Sequence, residues 1–154
     1  MIIYCFDTSA FIGAWERTYP PDVAPSFWAR LDDLVQQGRA VAPEEVKTEL
    51  VKKADAVWSW ARDRQAMFVP IDGATQAALR EVLARFPAML KNGQRRNAAD
   101  PWVVALAKVR SLTVVTTEGP ISGENNPKIP LVCGTFGVKS MNLIDFIRAE
   151  GWRF

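Results

Sequence analysis

The chain has 154 residues, with 19 Lys and Arg against 17 Asp and Glu and 49% hydrophobic residues. This suits one domain with a single core and argues against a wholly disordered chain. There is no histidine, which excludes Ser-His-Asp and Cys-His nucleophilic sites, histidine general bases and every His-ligated metal site. Two cysteines, Cys5 and Cys133, in no metal-like spacing argue against a zinc ribbon or a disulfide framework. The apolar opening 1–6 is far shorter than the roughly 18 residues of a membrane span and lacks signal-peptide flanks. A cytoplasmic protein with no membrane association is the expectation.

Short apolar runs alternate with amphipathic stretches along the chain. Residues 2–6 read as a buried strand ending at Asp7, and 25–37 as a helix stopped by Gly38. A second strand is expected over 39–42, then helices over 44–53 and 57–64 and a third strand over 66–71. Residues 75–90 read as a helix that Pro87 bends or splits, and 98–109 as another. A fourth strand is expected over 112–116, a fifth over 129–133, and a last helix over 142–150 ending at Gly151. This order predicts an α/β domain with a mainly parallel sheet of about four to five strands flanked by helices. Sites in such sheets lie beyond the carboxyl ends of the strands, where the strand order switches.

With no GxGxxG and no GxxxxGK[ST], the sequence gives little support to a dinucleotide or P-loop site. What stands at the strand ends is acids. Asp7 closes the first strand, Glu49 rides the helix after the second, Asp100 opens the helix before the fourth, and Glu118 follows that strand. Each has an ordinary structural reading: Asp7 and Asp100 as helix caps, Asp100 with Pro101 behind it, Glu49 as a solvated partner of Lys52 or Lys53, and Glu118 as a turn residue. Their shared placement at one sheet edge favours a common site.

The segments bearing these acids carry a resemblance. Ile3-Tyr4-Cys5-Phe6-Asp7-Thr8-Ser9-Ala10-Phe11 resembles the opening of PIN-domain nucleases. Ala42-Pro43-Glu44-Glu45-Val46-Lys47-Thr48-Glu49-Leu50 resembles the segment carrying their second acid. Asn97-Ala98-Ala99-Asp100-Pro101-Trp102-Val103-Val104-Ala105 resembles the helix carrying the third. In Val114-Val115-Thr116-Thr117-Glu118, Glu stands where that family has its fourth Asp. Glu45 competes with Glu49 for the second position; Glu49 is preferred because it follows Val46 by three residues, which leaves it beside the sheet edge. Residues 125–138 look like a PIN-like subgroup of unassigned function.

The resemblance implies a single PIN-like domain over residues 1–154 and metal-dependent hydrolysis of RNA phosphodiesters. By the same resemblance Asp7, Glu49, Asp100 and Glu118 would be the catalytic and metal-binding acids, with Thr8, Ser9, Thr116 and Thr117 as supporting hydroxyls. Crowded carboxylates need a counter-charge, and oxygen donors without His or thiolate favour Mg²⁺ or Mn²⁺. The resemblance also suggests the toxin of a toxin–antitoxin pair, silenced by a small antitoxin protein and often a homodimer. Between Arg80 and Arg110 seven Lys and Arg face two acids, a local charge of +5, and Arg95 and Arg96 stand close enough to Asp100 to meet an RNA phosphate. The competing reading is a PIN-like nucleic-acid or protein binding module without useful turnover, motivated by Glu118. A phosphoaspartyl enzyme fits less well, since Ser9 stands where a second Asp is wanted and Lys128 falls in a loop.

Overall fold

The first strand to form a hydrogen-bonded ladder is β1 (Tyr4–Phe6), which is buried throughout and ends at Asp7. In this computed structural model, which describes residues 1–91 and 99–154 apart from the side chain of Lys91, β1 is the centre of a five-stranded sheet. The order is β3-β2-β1-β4-β5, with β2 (Ala40–Pro43), β3 (Phe68–Val69), β4 (Thr113–Val115) and β5 (Ser140–Met141), and every pairing is parallel. The chain builds outward from β1 to β3, then crosses to β4 on the other side of β1. The order therefore reverses between β1 and β4, where a crevice opens beyond the carboxyl ends. The result is the expected α/β, PIN-like architecture.

Helices cover the sheet. Helix α1 (Thr8–Gly13) runs into a π-helical turn over Ala14–Thr18, and α2 (Pro25–Gln36) ends at Gly38, whose φ of +72° suits a residue without Cβ. After β2 come α3 (Glu44–Lys53) and α4 (Asp55–Ala61). The helix expected over 57–64 instead tightens into a 3₁₀ stretch, Arg62–Met67, with a kink at Arg64. The third strand shrinks accordingly from the expected 66–71 to two residues. Pro87 splits the next helix as expected, into α5 (Gly73–Arg85) and α6 (Ala88–Lys91). Helix α7 (Asp100–Arg110) precedes β4, and α9 (Leu143–Glu150) closes at Gly151, with φ +70°.

One element is of the wrong type in the sequence reading. Residues 129–133 form not a strand but the start of helix α8 (Ile129–Thr135). Pro130 sits in its first turn, where its missing N–H is harmless, whereas a ladder would lose a donor there. Ile129, Val132 and Cys133 are buried at helical spacing, so a run that looks uniformly apolar is one helix face. The fifth strand is Ser140–Met141, only half-buried and too short to show an alternating pattern.

The core is aromatic where the sheet meets its helices. Phe146 of α9 meets Tyr4 and Phe6 edge-on at 4.8 and 5.2 Å, and Phe6 stacks on Phe11 of α1 at 5.2 Å. Trp15, Trp28 and Trp60 form a second chain of edge contacts at 4.8 and 5.1 Å, so these tryptophans pack rather than display their faces. No helix among the described residues is long and apolar enough to cross a membrane.

Glu150 ties the end of α9 to the sheet. It accepts two hydrogen bonds from the Arg39 guanidinium, at 3.0 and 2.7 Å, and one from the Tyr4 hydroxyl at 2.5 Å. Burial alone raises its pKa, but the bonds from Arg39 and Tyr4 outweigh that and hold it below the ordinary value. This stabilisation is complete above the unfolded pKa and is lost as pH falls through the folded one. Glu150→Ala leaves both donors without their acceptor and should cost about 2 kcal/mol, read from urea unfolding at neutral pH; Glu150→Gln should cost less.

A carboxylate cleft at the switch point

Asp7 is built by two requirements at once. Its backbone is extended, it caps α1 by accepting the Ala10 N–H at 2.8 Å, and it is 1% exposed at the end of the central strand. Ser9 Oγ donates to it at 2.8–2.9 Å, and Thr116 Oγ1, just past the end of β4, donates at 2.6 Å. Capping and site placement are therefore compatible roles of one side chain.

Asp100 behaves differently. The cap of α7 is Ala99, with no side-chain capping bond, and Asp100 stands in the first turn, 7% exposed. The capping reading of Asp100 is thus not what the structure has. Its carboxylate instead gathers with those of Asp7 and Glu118, one oxygen from each of the three lying within 4.8 Å of the others. Glu49 is buried on α3, accepting from Thr8 Oγ1 at 2.7 Å and pairing with Lys53 Nζ at 3.0 Å. It borders the same cleft as Asp100 and Glu118 but lies outside the 4.8 Å trio. Glu45 does not line that cleft; it is half-buried with Oε1 unpartnered.

The hydroxyls divide. Thr8, Ser9 and Thr116 each bond an acid, and Thr116 Oγ1 also accepts the Glu118 N–H at 3.1 Å. Thr117 contributes only its backbone N–H, donated to Ser9 Oγ at 3.2 Å; its side chain is turned toward Gly13. Arg95 and Arg96 lie outside the described residues. Among the described residues three cations border the cleft: Arg17, Lys53 and Lys128, the last 3.7 Å from Glu118. Sequence reasoning had no site role for Arg17. Its signal is the i, i+4, i+8 spacing of Ser9, Gly13 and Arg17, which puts all three on one helix face.

The cleft has a volume of about 330 Å³. A larger cavity, about 420 Å³, opens at the amino ends of the strands beside Ile2, Ile3 and Val138, but no acid among the described residues lines it. The polar groups converge on the smaller one.

Crowding shows in the protonation equilibria. Burial, above all, raises Asp7 to about 7 against the bonds from Thr116, Ser9 and Ala10. Burial and then the charges of Glu118 and Asp7 raise Asp100 to about 10. Burial pushes Cys133 up to about 12, and Cys5 rises for the same reason, so neither thiol is a nucleophile at neutral pH.

Fold and site together define an α/β domain with a carboxylate cleft at the switch point of its parallel sheet. The chain belongs to the family described as a domain of unknown function (DUF4411), whose model matches residues 4–154. No curated protein matches it.

A carboxyl whose folded pKa is raised favours folding below its unfolded pKa and loses that contribution as pH rises through the folded value. Without a divalent cation, Asp7 and Asp100 should therefore destabilise the fold progressively between pH 3.8 and about 10. Asp100→Asn removes one such charge at similar shape. In EDTA its melting temperature should exceed the parent's at alkaline pH, and the difference should vanish in acid. An Asp100→Asn protein that melts below the parent across the whole range would refute this.

Proposed function

We propose that the protein is a Mg²⁺- or Mn²⁺-dependent ribonuclease that hydrolyses RNA phosphodiester bonds. The observation that carries this reading is the trio of carboxylates, Asp7, Asp100 and Glu118, within 4.8 Å at the switch point. Two unit charges at 4 Å repel by about 4 kcal/mol at an effective dielectric of 20. The trio must therefore hold protons or a cation, and raised Asp7 and Asp100 carboxyls are what such a donor set has without one. The donors are all oxygen, with no histidine in the chain and both thiols buried away from reaction, which suits Mg²⁺ or Mn²⁺ rather than zinc.

Asp7, Asp100 and Glu118 would hold the cation directly, with Glu49 joining through a water or a small movement. When bound, the cation supplies Lewis acidity for activating water and for neutralising charge on the phosphoryl oxygens. The protein's own groups fix the acids. Ser9 and Thr116 lock both oxygens of Asp7, Thr8 orients Glu49, and Lys53 and Lys128 hold the outer oxygens of Glu49 and Glu118. The resemblance of the four acid-bearing segments to PIN-domain nucleases supports RNA as substrate. It also extends the reading to a cytoplasmic toxin held by a small antitoxin, and to a homodimer. One observation favours the second reading, a binding module: Lys53 and Lys128 already offset part of the acidic charge.

Asp7→Asn should keep the fold, because Asn also caps helices and the Ser9 and Thr116 hydroxyls can turn to serve an amide. It should lower Mn²⁺-dependent cleavage of a generic RNA by about 10²-fold or more; parent-like cleavage would overturn the assignment. In the same Mn²⁺ titration, Glu118→Asp should retain part of the activity, whereas Glu118→Gln and Glu118→Ala should lose more and need more metal. RNA binding without cleavage by the parent protein would favour the binding module.

A further inference from the structure

Of the three cations that border the cleft among the described residues, two are engaged with acids of the site, Lys53 with Glu49 at 3.0 Å and Lys128 with Glu118 at 3.7 Å. Arg17 is not: among the described residues it makes no ion pair or hydrogen bond, yet it borders the cleft with them. Its seat is specific. A Cβ placed on Gly13 would stand 2.8 Å from Arg17 Nη2 and 2.9 Å from the Thr117 methyl. The guanidinium therefore lies against bare helix backbone, beside the residue that precedes Glu118. Gly13 has an ordinary helical φ of −63°, so its conformation does not call for glycine; the space does. Glycine inside a helix costs about 0.5–1 kcal/mol relative to alanine, and here it admits a charged side chain.

The backbone contributes as well. Arg17 lies within the π-helical turn Ala14–Thr18, closed by the Tyr19 N–H donating to the Ala14 carbonyl at 2.8 Å. Such turns widen a helix locally and occur often at functional sites. Ser9, whose hydroxyl bonds Asp7, is two turns earlier on the same face. The stripe Ser9–Gly13–Arg17 thus leads from the buried acid to a guanidinium that borders the cleft and has no partner among the described residues. A polyanion entering a cleft lined by Glu49, Asp100 and Glu118 is repelled unless a fixed positive group meets it. A guanidinium presents a planar fork that matches two phosphate oxygens.

We propose that Arg17 is the phosphate-holding residue of this site, taking the non-bridging oxygens of a backbone phosphodiester of single-stranded RNA beside the acid trio, with Gly13 as its required seat. The proposal rests on the ribonuclease reading and adds to it a substrate-binding residue. The test uses the full chain and a fluorescein-labelled single-stranded RNA of mixed sequence. Cleavage is followed in Mn²⁺, binding by anisotropy in Ca²⁺ across a salt series, and Mn²⁺ affinity by calorimetry without RNA.

Arg17→Ala should raise KM about tenfold with little change in kcat. It should also lower the log–log salt slope of RNA binding by about 0.7 and leave Mn²⁺ affinity as in the parent. Gly13→Ala should shift KM the same way, and Arg17→Lys should restore the salt slope but only part of KM, having charge without the fork. Parent-like KM and salt slope in Arg17→Ala, with a parent that binds and cleaves RNA, would overturn the Arg17 assignment and leave the ribonuclease reading standing. Weakened Mn²⁺ binding in Arg17→Ala would make it a structural support of the acids and overturn the proposal too. A parent that binds Mn²⁺ but neither binds nor cleaves RNA would overturn both.

Discussion

The constraint on which this structure turns is the enforced closeness of carboxylates that have almost no water. Asp7 is fixed by being both the last residue of the central strand's run and the cap of α1, and the hydroxyls of Ser9 and Thr116 fill its remaining acceptor positions. Asp100 and Glu118 are then delivered against it by α7 and by the segment after β4. A fold selected only for stability would separate these groups or replace one with an amide. Keeping them together stores an electrostatic penalty, and local conflicts of this kind are expected at functional sites.

Much of the architecture is legible in the sequence because its signals are local. The strand 2–6, the helix stopped by Gly38, the break at Pro87 and the end at Gly151 each depend on residues within one or two turns. The failures are where tertiary context decides. The run Ile129 to Cys133 is apolar enough for a strand, and only its packing and the first-turn position of Pro130 make it a helix. Ser140–Met141 is a strand because β4 offers it an edge, not because of its own pattern.

The site divides in the same way. Acids at strand ends are visible because topology places strand ends, and the four acids named from sequence all reach the cleft or the trio. The preference for Glu49 over Glu45 follows from helix phase: Val46 and Leu50 face the core, and Glu49 lies on the flank shared with Lys53. Arg17 escapes such reasoning, since its place depends on a π-helical turn and a missing Cβ, neither of which leaves a hydrophobic period. The capping reading of Asp100 fails for a related reason. Pro101 sets a helix start, but whether the residue before it caps or points into a cleft is settled by what packs opposite.

Rigidity is graded across the acids, and that accounts for a Glu at position 118. Asp7 accepts bonds from three donor residues, while Glu118 has a 14%-exposed side chain and a loose 3.7 Å contact with Lys128. The loop that joins them is held to α5 by a two-pronged pair between Arg85 and Glu124, at 2.9 Å for both bonds. That pair is exposed, and such pairs contribute about 0–1 kcal/mol, so the loop is latched rather than locked. An acid carried on an adjustable segment gains from one more methylene, because the longer arm can reach the trio from more than one backbone position. A shorter acid there would depend on the loop holding a single position, which an exposed ion pair is too weak to enforce.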